Sequence, residues 1–332
     1  MGSEYNETRN QHFISQAEQR LNASNPTAAS HKSKIYVFNI VNRDDYKVTL
    51  EGSAARSIVN NLSMFDLFSF DILDRTQLRR NFEALFHKYE ISVAENTKNL
   101  LSKLNSQDGD IKNEIIALFS SKLLGFIRNP YSVQKVINTF SLLAKHSPTD
   151  PSLLADYQVI LNGKRPHQIH LCKQLGITDV QYAEWLRIIF MLLSPMRQNS
   201  LNFFEETIKS LFEDKNLYAG VFVWEYDNDC CLLSDRAFSQ PIESTIHLSF
   251  SFNLCATAFI DYIFADPEAL VQGKAAPAFI AQASASWRRR PHAQINVTFI
   301  RNNIEMLKCY NRRVIYQSHK HVYCSKSVGI LT

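Results

Sequence analysis

Val221-Phe222-Val223-Trp224-Glu225-Tyr226, Cys230-Cys231-Leu232-Leu233-Ser234-Asp235 and Ile246-His247-Leu248-Ser249-Phe250-Ser251-Phe252 are the three runs that decide the fold. Each is dense in β-branched, aromatic or other apolar residues, and polar residues separate them. Together they predict three consecutive β-strands. The second run ends on a polar pair, Ser234-Asp235. An acidic side chain at a strand end usually meets a turn or a cleft, which makes this pair the first candidate for a site.

Upstream of these strands the hydrophobic spacing becomes helical. Residues 74–89 place Leu78, Phe82, Leu85, Phe86 and Tyr89 on one side, as an amphipathic helix does. Residues 96–104, 112–127 and 133–145 keep that spacing. Arg128-Asn129-Pro130 stops the second of them, because proline disfavours helix at the residue before it. Thr178 suits the N-cap of a helix running to Leu193, and Ser194-Pro195 breaks it before another at 199–212. Nearer the start, 10–21 suits a short helix with Phe13, Ala17 and Leu21 on one face. Residues 34–39 and 47–50 suit strands, and 53–60 suits a helix. The last third is expected to close with a helix at 294–310 and a strand at 313–324.

Grouped helices followed by grouped strands indicate an α+β protein and not an alternating α/β one. The expected arrangement is a single domain over 9–325. Its helical middle, 74–213, packs beside a small, mostly antiparallel sheet formed from N-terminal and C-terminal segments. That sheet would join 34–50 to the strands of 217–325.

The chain of 332 residues is 45% hydrophobic and 11% aromatic, enough for a sizeable core. It has only nine glycines, and no phosphate loop, dinucleotide fingerprint or nucleophile elbow. No apolar run approaches the roughly 18 residues of a membrane span. The first twenty residues lack the apolar core of a secretory signal. Cys172, Cys230, Cys231, Cys255, Cys309 and Cys324 show no C-x-x-C spacing, which fits reduced thiols in the cytoplasm. The net charge of +4 hides an asymmetry: residues 286–326 hold nine Lys or Arg against Glu305 alone, a local +8 that leaves −4 elsewhere. A basic field of this kind recruits phosphates.

Four short signatures follow in a distinctive order. They are Asn10-Gln11-His12-Phe13-Ile14-Ser15-Gln16, Lys34-Ile35-Tyr36-Val37-Phe38-Asn39, Leu232-Leu233-Ser234-Asp235-Arg236-Ala237-Phe238, and the closing stretch from Asn302-Asn303 through Asn311-Arg312-Arg313 to Tyr316. In this order they resemble a prokaryotic domain family of unknown function, family 4238. Its members open with an H-H-Y-x-P-x-x-Y-L segment and a short strand. They carry S-D-x-P after a later strand, and end with an Asn-rich helix and an Arg-containing strand. The likeness covers nearly the whole chain. It departs at Ser15, where the family has proline after its histidine, and at Ala237, where the family has the proline of S-D-x-P. The resemblance implies a shared architecture and a shared site at His12, Asp235 and the C-terminal arginines. It implies no established reaction.

His12 is a candidate acid–base, since imidazole titrates near neutrality, and Gln11 and Gln16 are placed to orient it. Asp235 is a candidate base, metal ligand or cation clamp with Ser234 as its hydrogen-bond partner; as a turn cap it needs no substrate. Arg128 either points into the same cleft or caps the carbonyls at its helix end. Arg288, Arg289, Arg290, Arg312 and Arg313 are interleaved with Trp287, Phe299, Tyr310, Tyr316 and Tyr323. Guanidinium on phosphate and rings on unpaired bases suit RNA or single strands. Inward rings beneath a solvated basic face are the plain alternative.

Arg313 and His319 also match the Arg–His spacing of HEPN ribonucleases, which carry the pair on a helix. Here Val314-Ile315-Tyr316 suits a strand. His167, His170 and Cys172 fall together, as do His319 and His321, without a completing ligand, so no metal ligands are assigned. Glu225, Asp227 and Asp229 either hold Mg²⁺ or line a solvated hairpin turn. The cofactor expectation is therefore none or Mg²⁺.

The expected function is a nucleic-acid-directed enzyme, a nuclease on RNA or single strands, in a toxin-like or antiviral role. His12 would serve as acid–base, Asp235 would orient it or bind a cation, and Arg128, Arg312 and Arg313 would hold phosphate. The competing expectation is a non-catalytic module for nucleic acid, a protein partner or a second copy, in which the same polar residues are structural. No membrane partner is expected.

Overall fold

Alternation within the strand Tyr218–Glu225 sets the layering. Val221 and Val223 join the large core shared with the helices, whereas Phe222 and Trp224 join a second apolar cluster on the other face. A strand apolar on both faces belongs between layers, and this one lies there.

The computed structural model describes residues 9–71, 79–163, 165, 167–195, 200–241, 247–268, 276–289 and 293–332. In chain order its elements begin with β1 (Asn10–His12), α1 (Gln16–Leu21), β2 (Lys34–Asn42), β3 (Lys47–Leu50), β4 (Arg56–Ser57), β5 (Ser63–Phe65), β6 (Ser69–Asp71) and β7 (Arg79–Asn81). The helical region holds α2 (Glu83–Glu90), α3 (Val93–Ser106), α4 (Lys112–Ile127), α5 (Val133–Phe140), α6 (Pro151–Asn162), α7 (Gln168–Leu175), α8 (Asp179–Leu193) and α9 (Phe203–Glu213). Then follow β8 (Tyr218–Glu225), β9 (Leu233–Ser234), β10 (His247–Cys255), β11 (Ala258–Ala265), α10 (Pro277–Arg288), β12 (Ile295–Arg301), α11 (Ile304–Gln317) and β13 (His321–Cys324). The α+β class holds. No helix among the described residues is long and apolar enough to cross a membrane.

The single expected sheet is two. One has the order β10-β11-β8-β12, antiparallel except that β12 lies parallel to β8. The second run of the opening trio leaves it: β9 pairs with β13, which pairs with β2, and β3 and β4 flank β2. The departure has a local cause. The Cys231 N–H goes to the Ala256 carbonyl (2.8 Å) and the Leu232 N–H to the Asn311 side chain (3.0 Å), so the chain is already turned away when Leu233 begins its ladder.

α4 is the spine of the helical layer. Its Phe119 meets Phe212 of α9 and Phe250, Phe252, Tyr262 and Phe264 of the sheet, with centroids 4.8 to 6.2 Å apart. Thr178 caps α8 as expected, in a reciprocal box with Gln181 (3.2 and 2.9 Å).

Four expectations need correction. Residues 10–21 are strand then helix, because the Ser15 hydroxyl accepts the Glu18 N–H (3.2 Å) and starts α1 only there. Residues 53–60 form β4 and one 3₁₀ turn, since Arg56 and Ser57 pair with β2. The helix expected at 74–89 begins at Glu83, after β7; residues 72–78 lie outside the described residues. Finally, Ile295–Arg301 is a strand and Arg313 lies on a helix. Asn303 accepts the Met306 N–H (3.1 Å) and starts α11, leaving the β-branched run before it free to pair with β8.

Candidate functional site

Asp235 follows β9 directly, and its side chain reaches back to the turn after α11. The carboxylate accepts the backbone N–H of His319 (2.6 Å), Lys320 (2.7 Å) and His321 (2.9 Å). Its own carbonyl accepts Asn129 Nδ2 (2.8 Å). Beside it Ser234 Oγ contacts Ser318 Oγ (2.8 Å) and accepts the Arg236 N–H (3.0 Å). From the other side Arg43 donates to the carbonyls of Tyr316 (2.8 Å), Ser318 and His319. An anion on the free N–H groups and a cation on the last helical carbonyls clamp this turn. What the clamp delivers is a fixed position for His319.

The turn holding Asp235 continues into Ala237. That residue has φ +67°, and its N–H bonds the Ser234 carbonyl (3.1 Å). Proline, locked near −65°, cannot occupy this conformation. Here the chain makes a different turn from one that S-D-x-P would form.

The His319 ring stacks on Tyr131, centroids 4.2 Å apart and planes at 13°, and Tyr131 meets Phe13 edge-on at 5.5 Å. The aromatic chain therefore links the segment bearing His12 to the turn bearing His319. Tyr131 is set there by Asn129, whose side chain accepts the Tyr131 N–H (3.0 Å) while holding Asp235. His12 Nδ1 lies 3.0 Å from the Asn61 carbonyl, which assigns it the proton and leaves a lone pair on Nε2, 3.0 Å from Gln16 Nε2. Gln19 Nε2 comes within 3.4 Å of Nδ1.

Burial is the main cause holding the His12 pKa below the usual imidazole value, and repulsion from Arg128 and Arg20 adds to it; the Asn61 carbonyl opposes the shift. The His319 pKa is also lowered, by burial first; Asp235 opposes this while Arg236, Lys320 and Arg43 reinforce it. The Tyr131 hydroxyl is pushed up to about 12, by burial and then by Asp235. Both imidazoles and the phenol are thus held towards their neutral forms, with the His319 and Tyr131 rings in contact.

The arginines expected on phosphate are placed elsewhere. Arg128 is 1% exposed, ion-paired to Glu90 and laid over the Phe86 ring at 5.0 Å. Nearby, buried Lys122 pairs with buried Glu18 at 2.5 Å. Arg313 points into the sheet, towards Ser251 Oγ (3.0 Å), Ser239 Oγ (3.4 Å) and Asp261 Oδ1 (3.6 Å). Arg312 points outward over Tyr46 (5.6 Å), so the two neighbours do not form one clamp. Arg313 lies on a helix, but His319 falls beyond its end in the turn, so the pair does not share a helix as in HEPN ribonucleases, and the ion pair with Asp261 occupies the guanidinium.

Arg289 is exposed at the end of α10. Trp287 of that helix packs on Tyr218 (5.7 Å), at the opposite end of β8 from the hairpin turn that bonds Leu21 of α1. The length of β8 separates these ends by roughly 23 Å. The Arg288 side chain and Arg290 lie outside the described residues. Of the interleaved aromatics, Tyr310 and Tyr323 are buried and Tyr316 is exposed.

Asp227 and Glu225 pair with Arg301 at 2.5 and 3.6 Å. His167 faces Asp66 (3.4 Å), and Cys172 donates to Asp179 (3.5 Å). No group of three or more His, Cys, Asp or Glu among the described residues is arranged to hold a metal ion. Of the residues that form the site, His319 had a signal in its spacing from Arg313. Tyr131, Asn129 and Arg43 had none, because their roles arise only from contacts across the fold. Comparison with family models, curated proteins and solved structures found no match to this chain.

Proposed function

We propose that the chain is a nucleic-acid-directed enzyme that cleaves RNA, with His12 and His319 moving the protons. The observation that carries this reading is the Phe13–Tyr131–His319 contact chain, which brings the His12 segment to the turn clamped by Asp235. RNA cleavage by imidazoles needs one group to take the 2′-hydroxyl proton and another to protonate the leaving oxygen. Unprotonated His12 and His319 are competent bases. A bound phosphodiester, being anionic, raises both pKa values and lets one ring carry the proton. Arg236 and Lys320 supply the local positive charge, in place of Arg128, Arg312 and Arg313. The resemblance to family 4238 agrees on His12 and assigns Asp235 to the same region, where it acts through position. Cleavage of cellular or invading RNA would suit a toxin-like or antiviral effector.

The test is incubation of the purified chain with labelled RNA and its 2′-deoxy counterpart, in EDTA or in Mg²⁺. Cleavage of RNA alone, in both conditions, is expected. His12→Gln and His319→Gln should each lower kcat/KM by about 10²–10⁴. Loss of activity in EDTA, or unchanged rates in both variants, defeats the reading. The non-catalytic alternative draws on Asp235, Ser234 and Arg313, all engaged by the fold itself. Salt-dependent RNA binding without turnover would favour it, and Lys320→Ala would then lower the salt slope by about 1 if that ammonium contacts phosphate.

A further inference from the structure

A second reactive group lies apart from the imidazoles, where the segment before β9 passes beside β13. Cys230, Cys231 and Cys324 are all reduced and buried in the second apolar cluster. The segment holding Cys230 packs against the one holding Cys324, with Cys230 touching the residue that follows Cys324. Cys230 Sγ is 3.2 Å from Ser325 Oγ, and Cys324 Sγ accepts the Lys326 N–H at 3.4 Å. The Lys326 ammonium bonds the Asn228 carbonyl, close to Cys230 in the chain. Two thiols from segments far apart in sequence therefore lie beside one short stretch, Ser325 and Lys326.

We propose that Cys230 and Cys324 are a redox pair, which a hydroperoxide converts to a disulfide. In the first step the Cys230 thiolate attacks one peroxide oxygen. The O–O bond breaks, Cys230 becomes a sulfenic acid, and the departing oxygen takes a proton. In the second step Cys324 attacks the Cys230 sulfur. The S–S bond forms, the S–O bond breaks, and the released hydroxide leaves as water with the Cys324 proton. Two thiols lose two electrons and two protons, and hydrogen peroxide is reduced to two waters.

The order of roles follows from the surroundings. Neighbouring Cys324 first, then Ser325 and Lys326, favour the Cys230 anion, so the Cys230 pKa is lowered against the effect of burial. Cys324 is raised, and so is fully buried Cys231. A thiolate held next to a resolving thiol is the arrangement that oxidation selects. Access is limited to small oxidants. Ile330 and Leu331 pack on the same cluster, and the Leu331 carbonyl accepts Asn311 Nδ2 (2.9 Å), so the last described segment lies over the pair. The disulfide would tie the 226–232 segment to β13, whose first residue, His321, belongs to the Asp235 clamp.

The experiment uses the reduced full chain, treated with hydrogen peroxide, quenched with N-ethylmaleimide in denaturant, digested and mapped by mass spectrometry. A Cys230–Cys324 cross-linked peptide, two hydrogens lighter than its reduced halves and reversed by dithiothreitol, is expected. In Cys324→Ser, dimedone should label a sulfenic acid at Cys230. Oxidation confined to exposed Cys309, or a disulfide from Cys230 to Cys231 or Cys255, overturns the proposal. Mapping of the unsubstituted chain decides the matter even if Cys324→Ser does not fold. The result is independent of RNA cleavage.

Discussion

Asp235 and Arg128 are equally hidden, at 1% exposure each, but their charges are met in opposite ways. Asp235 has three backbone N–H groups for its two carboxylate oxygens. Arg128 brings five N–H donors, pairs with Glu90, and leaves Nε and Nη1 buried without a hydrogen-bond partner. A turn can wrap a carboxylate with its own amides, whereas no single acid can satisfy a guanidinium. The first charge is a completed fastener. The second sits in a cluster of carboxyls strained by burial: desolvation raises the Glu90 pKa and takes that of Glu83 to about 7, although Arg128 opposes both shifts.

The hardest test of this contrast is Asp235→Ala. It deletes three charge-assisted bonds and leaves three amides of the turn unpaired, which should destabilise the fold by about 4 kcal/mol in urea unfolding. Asp235→Asn keeps the shape and part of the bonding, and about half that loss is expected. An Asp235→Ala protein of unchanged stability but no activity would make the carboxylate chemical and end the fastener reading. Ala237→Pro comes next, at roughly 3 kcal/mol, because φ +67° is closed to proline. If that variant is as stable as the parent, this turn accepts proline after all.

Arg128→Met is expected to cost less, about 2 kcal/mol at pH 8, because Glu90 is partly exposed and can take a proton. The loss should shrink as pH falls below 7. Glu83 and Glu90, whose pKa values are raised, then become neutral in the variant and no longer need a cation. A cost that stays constant from pH 5 to 8 would show that Arg128 acts through packing on Phe86.

Sequence reading reaches local features and stops at long-range ones. The helix at Lys112–Ile127 and the strand at Lys47–Leu50 were legible to the residue, because amphipathic period and turn residues are local properties. β12 was not, since a short β-branched run beside an Asn-rich helix start becomes a strand only by pairing with β8, some 76 residues earlier in register. The site divides the same way. A polar pair at a strand end marks Asp235, but its three partners lie 84 to 86 residues further on. Nothing local announces that Tyr131 would meet both Phe13 and His319.

The smallest expected effect concerns the two imidazoles, His12 and His319. Their folded pKa values lie below the unfolded value of about 6.5. Between the folded and unfolded values the unfolded chain holds more protons, so stability must rise with pH through that window. The contribution is complete above the unfolded value and is lost as pH falls below it. Glu83 gives the opposite slope between its ordinary value of 4.5 and about 7, so the whole-protein curve mixes the two signs. The difference between parent and variant separates them. His12→Gln should remove part of the acid-side loss, and His319→Gln a smaller part, since its ring is less buried and its charge better screened. Urea midpoints at pH 5 and pH 8 suffice. If both variants keep the parent's full dependence on pH, burial does not hold these rings neutral, and the acid–base pairing loses its physical basis.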